Sequence, residues 1–338
     1  MRVLELRDSW GFDHIQPGER PDPQAGPGQV VLEMRAASLN YRDFLAVQGG
    51  YGSRGGHLPL IPISDGVGTV VDVGDGVSRV RPGDRVCPNF FQSWLAGPPS
   101  AEKFSRPLGG PLDGVMQERM LLDADGVTIA PAHLSDLEAA TLPCAGLTAW
   151  SAVVEQGNIQ PGDVVLVQGT GGVSLYALLF AKMMGAEVIA TSSSDAKLER
   201  AAALGADHMI NYRSQPEWGK AARAITGERG VDLVVEVGGA GTLKESVRAT
   251  RVGGTLAMIG VLAGPSSDFN VALVVMQNMR LQGVTVGSRE MMERMCAAMS
   301  LHGTHPPVDE KIYGFTDLRP ALEAMPSGGH FGKIALQF

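Results

Sequence analysis

The sequence predicts an α/β protein of two domains: a doubly wound parallel sheet of six strands beside a second, β-rich domain. Three observations carry this prediction. The 338-residue chain has room for roughly two domains of ordinary size. From residue 161 onward short apolar strands alternate with helical segments, the pattern of a parallel sheet joined by crossover helices. The first 125 residues instead hold valine-rich runs divided by Gly, Pro and Asp turns, which predicts a barrel-like or folded-over sheet.

In chain order, Val30-Val31-Leu32-Glu33-Met34 is a short strand after the Pro27-Gly28 turn. Gly66 to Val73 is rich in valine and glycine, and Pro82-Gly83-Asp84 turns the chain into Arg85-Val86-Cys87. Residues 92–113, with Pro98-Pro99, Pro107, Gly109-Gly110 and Pro111, form a long irregular loop, a class that often borders sites. Ser135-Asp136-Leu137-Glu138 is a capping box that starts a helix, which Pro143 must interrupt or restart. Strands follow at Val164–Gln168, Glu187–Thr191, His208–Asn211, Asp232–Val237, Thr255–Gly260 and Leu281–Val286. Helical segments fall between them at 173–184, 195–204, 217–226, 241–250 and 271–278. The last segment holds one helix and strands near Ile312 and Ile334–Leu336, and is expected to pack back on the first domain. The expected boundaries are 1–127 with 289–338 for the β-rich domain and 128–288 for the parallel-sheet domain.

Composition narrows the function. Hydrophobic residues make up 44% and charged residues 19%, enough for a sizeable core and too apolar for wholesale disorder. Lys and Arg total 28 against 36 Asp and Glu, a net charge of −8. That balance argues against a dedicated nucleic-acid binder, which needs a basic face. No apolar run is long enough to span a membrane. Glu5, Arg7 and Asp8 interrupt the opening stretch where a signal peptide would be apolar, so a cytoplasmic location is expected. Cys87, Cys144 and Cys296 are too widely spaced for a disulfide framework or a Cys-x-x-Cys metal knuckle. His57, His302, His305 and His330 show no metal-ligand spacing either.

The most informative motif follows the Val164–Gln168 strand. Gly169-Thr170-Gly171-Gly172-Val173-Ser174 reads G-x-G-x-x-S, with a small residue at the third glycine position. Gly169 permits a tight turn, Gly171 lets the backbone approach a pyrophosphate, and Ser174 lets helix and strand pack closely. The following helix presents free N–H groups to the phosphates. An acidic residue at the tip of the second strand would bind the ribose diol of NAD. Here that tip is Thr191-Ser192-Ser193-Ser194, with Lys197 one turn beyond and Tyr212-Arg213 after the third strand. Hydroxyls and cations there predict a 2′-phosphate, hence NADPH over NADH. Gly238, after the fourth strand, Gly260 and Val261, after the fifth, and Ser288 and Arg289, after the sixth, stand where such sheets bind cofactors. Lys333 is the remaining candidate for the cofactor phosphates.

At these residues the chain resembles the medium-chain dehydrogenase/reductase superfamily along nearly its whole length. The resemblance rests on Ile63 to Gly74 with Gly83-Asp84-Arg85-Val86, on Leu142-Pro143-Cys144-Ala145-Gly146-Leu147-Thr148-Ala149-Trp150, on the glycine-rich turn, and on Leu204-Gly205-Ala206-Asp207-His208. It implies a GroES-like catalytic domain, built from both ends of the chain, around a Rossmann domain. Zinc-dependent members hold their catalytic metal with Cys, His and Cys. Those positions fall here on Asn40, Ser64 and Cys144, and the loop that would carry four structural cysteines carries none. A catalytic zinc normally takes three Cys, His or carboxylate ligands, so no zinc is expected. Asp43 and Asp65 lie close by in the same alignment, which leaves a rearranged metal site as an alternative.

Without a Lewis acid, oxidation of a simple alcohol is difficult, whereas reduction of an activated acceptor is easier. Asn40-Tyr41-Arg42-Asp43 looks like the Asn-x-x-Asp element of the zinc-free quinone oxidoreductase and enoyl reductase branch. The resemblance therefore implies hydride transfer from NADPH to a quinone, enone or related carbonyl. Asn40 is the expected oxygen-binding amide and Asp43 its orienting partner. Tyr51 aligns with a proton-donating tyrosine of enoyl-thioester reductases, and a phenol suits that task; a pocket wall is its other reading. Tyr41, Ser64 and Cys144 are the expected pocket residues. An alcohol dehydrogenase or carbonyl reductase with an unusual metal site is the nearest alternative. A cofactor-binding scaffold with little turnover is the alternative of another class. The resemblance also implies a homodimer paired along the sixth strand.

Overall fold

The computed structural model describes residues 1–264 and 271–338. Residues 265–270 lie outside the described residues. Two compact units emerge: Met1–Leu147 with Gly287–Phe338, and Thr148–Val286. The first boundary thus falls twenty or so residues later than the sequence texture implies. The capping box at Ser135 opens only one helical turn, α2 (Asp136–Ala139), and the chain behind it stays in the first unit. There Ala140 accepts a buried hydrogen bond from Ser38 Oγ at 3.0 Å, and Cys144 N–H donates to Asp65 at 2.9 Å.

The first unit begins with the paired strands β1 (Arg2–Leu6) and β2 (Ile15–Glu19). It continues with β3 (Gln29–Ser38), the short helix α1 (Tyr41–Val47), β4 (Asp65–Val73), β5 (Arg85–Pro88), β6 (Arg119–Asp123) and β7 (Val127–Ile129). The alternation in β3 explains its place. Val30, Leu32 and Met34 are buried in a core with Val70, Val86, Met120 and Leu122, so β3 pairs antiparallel with β4 on one side and β6 on the other. Two register shifts between β3 and β4 bend the sheet over that core. The chain's end returns to this sheet. Helix α9 (Arg289–His302) and α10 (Leu318–Ala324) precede β15 (Ala335–Gln337), which pairs with the end of β3, with the short β14 (Tyr313–Gly314) beyond it. The expectation that the C-terminal segment packs back on the first domain holds, and the register sets Ala335 against Ser38.

The second unit is the predicted six-stranded parallel sheet. Its strands are β8 (Val164–Gln168), β9 (Glu187–Ser192), β10 (His208–Asn211), β11 (Val231–Glu236), β12 (Thr250–Met258) and β13 (Arg280–Gly283), in the spatial order β10-β9-β8-β11-β12-β13. Every residue of β8 and β11 is buried, as central strands covered on both faces must be. The order reverses between β8 and β11, and ligands bind such sheets beyond the carboxyl ends at that switch point. The crossover helices are α4 (Gly172–Met183), α5 (Asp195–Ala203), α6 (Trp218–Ile225), α7 (Leu243–Ala249) and α8 (Val271–Met276). Among the described residues no helix is long and apolar enough to cross a membrane.

Candidate active site

The glycine-rich turn after β8 has a backbone open to a ligand. Gly169 sits at φ +72, the left-handed region that favours glycine. Gly171 is extended, and a Cβ built on it meets no atom within 4 Å, so open space faces the start of α4. Ser174 Oγ donates to Gln168 O at 2.6 Å and fastens helix to strand. The exposed N–H groups of a helix start beside a glycine cleared of side-chain atoms fit a dinucleotide pyrophosphate. Thr170, Gly172 and Val173 complete that turn.

At the neighbouring tips β9 and β10 pair Ser192 with Asn211, and Tyr212 N–H donates to Ser192 O at 3.1 Å. Ser192 is buried, while Tyr212 and Arg213 are exposed. The predicted group of Ser192, Ser193, Lys197, Tyr212 and Arg213 is therefore drawn to one end of the sheet. Sequence reasoning passed over Asp195, the first residue of α5. Its carboxylate accepts from Asn211 Nδ2 at 2.6 Å, so it is tied to the β10 tip.

Sequence reasoning also missed Glu236, the last residue of β11. Its fully buried carboxylate accepts from Gln168 Nε2 (2.8 Å), Gly238 N–H (2.8 Å), Gly239 N–H (2.9 Å), Thr242 Oγ1 (2.6 Å) and Ser246 Oγ. Gly238 is thus held at the carboxyl end of β11, against the Gly260–Gly264 turn: Ala263 N–H donates to Gly238 O at 2.6 Å. Gly260 and the half-exposed Val261 begin that turn. The sequence signal was there: an acid at a strand's carboxyl end, then two glycines, with Thr242 and Ser246 on the next helix.

The side chains of Ser288 and Arg289 both have partners within the protein. Ser288 caps α9 by accepting from Met291 N–H, and Arg289 pairs with Asp125 at 2.7 Å. Both roles lie inside the first unit, because the sixth strand ends early at Gly283.

The second cluster lies in the first unit. Asn40 caps α1 in a reciprocal box with Asp43: Asn40 N–H donates to Asp43 Oδ2 at 2.9 Å. The other oxygen, Oδ1, accepts from Ser64 N–H at 3.2 Å and from Arg42 at 3.2 Å. Asp43 is therefore a brace, fully buried and spent on its neighbours. Arg42 also donates to the carbonyls of Leu108, Gly109 and Gly110, so the long loop does border this cluster. Its guanidinium lies 5.6 Å from the Tyr51 ring centroid. Partial burial raises the Tyr51 phenol above its ordinary range and Arg42 opposes this, so the phenol keeps its proton at neutral pH. Ile63, immediately before Ser64, is held at φ +72, strain of order 1–3 kcal/mol for a residue that is not glycine. Tyr41 is exposed and stacks on Phe44.

From Ser64 the network runs inward. Ser64 Oγ donates to Asp65 Oδ1 at 2.7 Å and accepts from Asn40 Nδ2 at 3.4 Å, while Asp65 Oδ2 takes the Cys144 N–H. Burial pushes Asp65 up to about 6, against the pull of Lys333. Burial, then Asp65, pushes the Cys144 thiol well up, so it stays protonated. Lys333 is buried, 3% exposed. Its ammonium donates to Leu39 O and, at 2.5 Å, to Asn40 Oδ1. Burial lowers its pKa, and Asp65, Cys144 and Asp43 oppose that shift.

This donor set does not fit a catalytic zinc. It offers an amide, a hydroxyl and a single thiol, with an ammonium already on the amide oxygen, while Asp43 and Asp65 accept from the backbone N–H groups around them. Among the described residues no three His, Cys, Asp or Glu side chains stand close enough to hold a metal. His305 is engaged elsewhere, 2.7 Å from Glu138.

Comparison with known proteins finds relatives along nearly the whole chain. The alcohol dehydrogenase GroES-like domain family matches residues 26–132, and the zinc-binding dehydrogenase family matches residues 172–300. A zinc-type alcohol dehydrogenase-like protein of Schizosaccharomyces pombe is 41% identical over 334 residues, covering 97% of this chain and 96% of its own. A Sinorhizobium meliloti 1021 protein solved as a candidate alcohol dehydrogenase superposes with a TM-score of 0.93 at 41% identity, covering 100% of this chain and 98% of that one. A solved NAD-dependent alcohol dehydrogenase gives a TM-score of 0.89 at 32% identity, with 100% of both chains covered.

Proposed function

The chain belongs to the medium-chain dehydrogenase/reductase superfamily and is an NAD(P)H-dependent oxidoreductase; from that premise we propose that it transfers hydride from NADPH to a quinone, enone or related activated carbonyl without catalytic zinc. The observation that carries this reading is the donor set around Asn40, in which an amide and a hydroxyl stand at two of the three ligand positions and the Lys333 ammonium holds the amide oxygen. When bound, the reduced nicotinamide supplies the hydride. The Gly169–Ser174 turn would hold the pyrophosphate, and the Ser192–Arg213 group would select the 2′-phosphate. Asp43 keeps Asn40 and Ser64 in place for the acceptor. Tyr51 keeps its proton until an enolate oxygen or carbon needs it. The assembly we propose is a homodimer paired along β13, an edge strand with Leu281 exposed.

The test is NADPH consumption with quinones, enones and aldehydes, with NADH and chelator controls. Turnover that prefers NADPH and ignores the chelator is expected. A second reading, carbonyl reduction or alcohol oxidation with an unusual metal, draws on the relatives named alcohol dehydrogenases; turnover lost with chelator would promote it. Silence across the panel would favour a scaffold. Within the assay, Tyr51→Phe is expected to lower enone turnover about 100-fold, a usual loss for one acid–base group, with NADPH affinity intact. Unchanged turnover would leave Tyr51 a wall residue. Arg213→Ala is expected to raise the NADPH KM about tenfold, the scale of one charge-assisted contact, and the NADH KM hardly at all. Equal effects on the two would remove Arg213 from 2′-phosphate selection.

A further inference from the structure

We propose that Lys333 is the fixed cation of the active site, and that its third N–H binds the carbonyl oxygen of the acceptor. The inference rests on the reductase reading above and names the oxygen-binding group within it. An ammonium has three donors. Two are spent, on Leu39 O and Asn40 Oδ1, and no acceptor among the described residues takes the third. A buried donor left without a partner is costly, so this arrangement suits a site completed by an oxygen atom from outside the chain. The two acceptors hold the ammonium from different directions, and β15 anchors it: Leu39 N–H takes Ile334 O at 3.0 Å, next to Lys333 itself. Asn40 is fixed in turn by Asp43 and Ser64. The charge is therefore preorganised and needs no rearrangement when the reaction begins.

The chemistry follows from that position. As hydride adds to the acceptor carbon, the π pair of the C=C–C=O or C=O system moves onto oxygen, and the positive charge of Lys333 stabilises the oxyanion. The proton that completes the product comes from Tyr51 or water, and the lysine keeps its own. The acceptor class is thereby narrowed to molecules with a carbonyl oxygen conjugated to, or part of, the bond reduced.

The experiment compares Lys333→Met and Lys333→Gln with the wild type on a quinone and an enone. Lys333→Gln matters because it removes the charge while keeping an amide donor on that side of Leu39 O and Asn40, so it remains readable if the methionine variant does not fold. The expected result is a fall in kcat of at least about 100-fold, the scale of one oxyanion-hole donor, with unchanged NADPH affinity by fluorescence titration. In Lys333→Ala, methylammonium is expected to restore part of the rate with saturation, which a merely structural role would not allow. Two results would overturn the proposal: a glutamine variant retaining more than a third of the wild-type kcat, or NADPH affinity falling in step with kcat, which would return Lys333 to the cofactor phosphates. A wild type silent on every carbonyl acceptor would instead overturn the reductase reading on which the proposal rests.

Discussion

Gly171→Val is expected to fold nearly as well as the wild type and to bind NADPH at least about 100-fold more weakly, a loss near 3 kcal/mol. The two halves of that expectation come from different facts. Gly171 has φ −81 and ψ 175, ordinary extended backbone that valine adopts readily. A Cβ there touches no protein atom, so no core contact is strained. Valine is a poor residue at a helix start, which costs about 1 kcal/mol. The space that the branched side chain would fill is the space through which a pyrophosphate approaches α4. Gly169→Ala is the useful contrast. At φ +72 the alanine pays about 1 kcal/mol in backbone strain, while its single methyl projects into open space as well. Isothermal titration with NADPH beside thermal unfolding separates the two effects. A Gly171→Val protein that binds NADPH normally would move the cofactor away from this turn.

Why the turn was legible and the place of Lys333 was not comes down to range. Val164–Gln168 is a continuous apolar run with glycines immediately after it, and both signals lie within ten residues. The six parallel strands were read correctly in number, order along the chain and approximate extent for the same reason. Their edges failed where backbone geometry overrules side-chain character. The sixth strand was expected to reach Val286, but it stops at Gly283 and Val286 itself turns to φ +53. The fifth begins earlier than expected, at Thr250, because a bulge lets Val231 pair with it before Leu233 pairs with Thr255. Lys333 and Asn40 are 293 residues apart, and only the β15–β3 register brings them together. A lysine two positions before a short terminal strand gives no local sign of a partner near the other end of the chain. Glu236 is the intermediate case: its partners Gly238, Thr242 and Ser246 are local, but Gln168 is reached only across the sheet.

Glu236→Ala is expected to be the most damaging single change in the second unit, with a loss of about 3–5 kcal/mol, the range for breaking a fully buried charged network. Two backbone N–H groups, two hydroxyls and one amide converge on this carboxylate; alanine leaves Gly239 N–H without an acceptor and the other four with only their second one. The thermal midpoint should fall by on the order of 10 °C. Glu236→Gln tests the functional half separately. It keeps the shape, but its NH2 faces groups that are themselves donors, so the Gly238–Gly239 turn must shift. Gln168 would move with it, because its amide spans Glu236, Ser246 and the Val237 and Gly238 N–H groups. Gln168 is also the residue immediately before Gly169, and its carbonyl receives the Ser174 hydroxyl. One buried carboxylate therefore sets two turns at the switch point of the sheet, the one before α4 and the one after β11. Both should loosen together in Glu236→Gln, which raises the NADPH KM about tenfold or more even where the protein remains folded. If the glutamine variant keeps wild-type cofactor affinity, the two turns are held by their own backbone geometry, and the network stabilises the fold without positioning the cofactor.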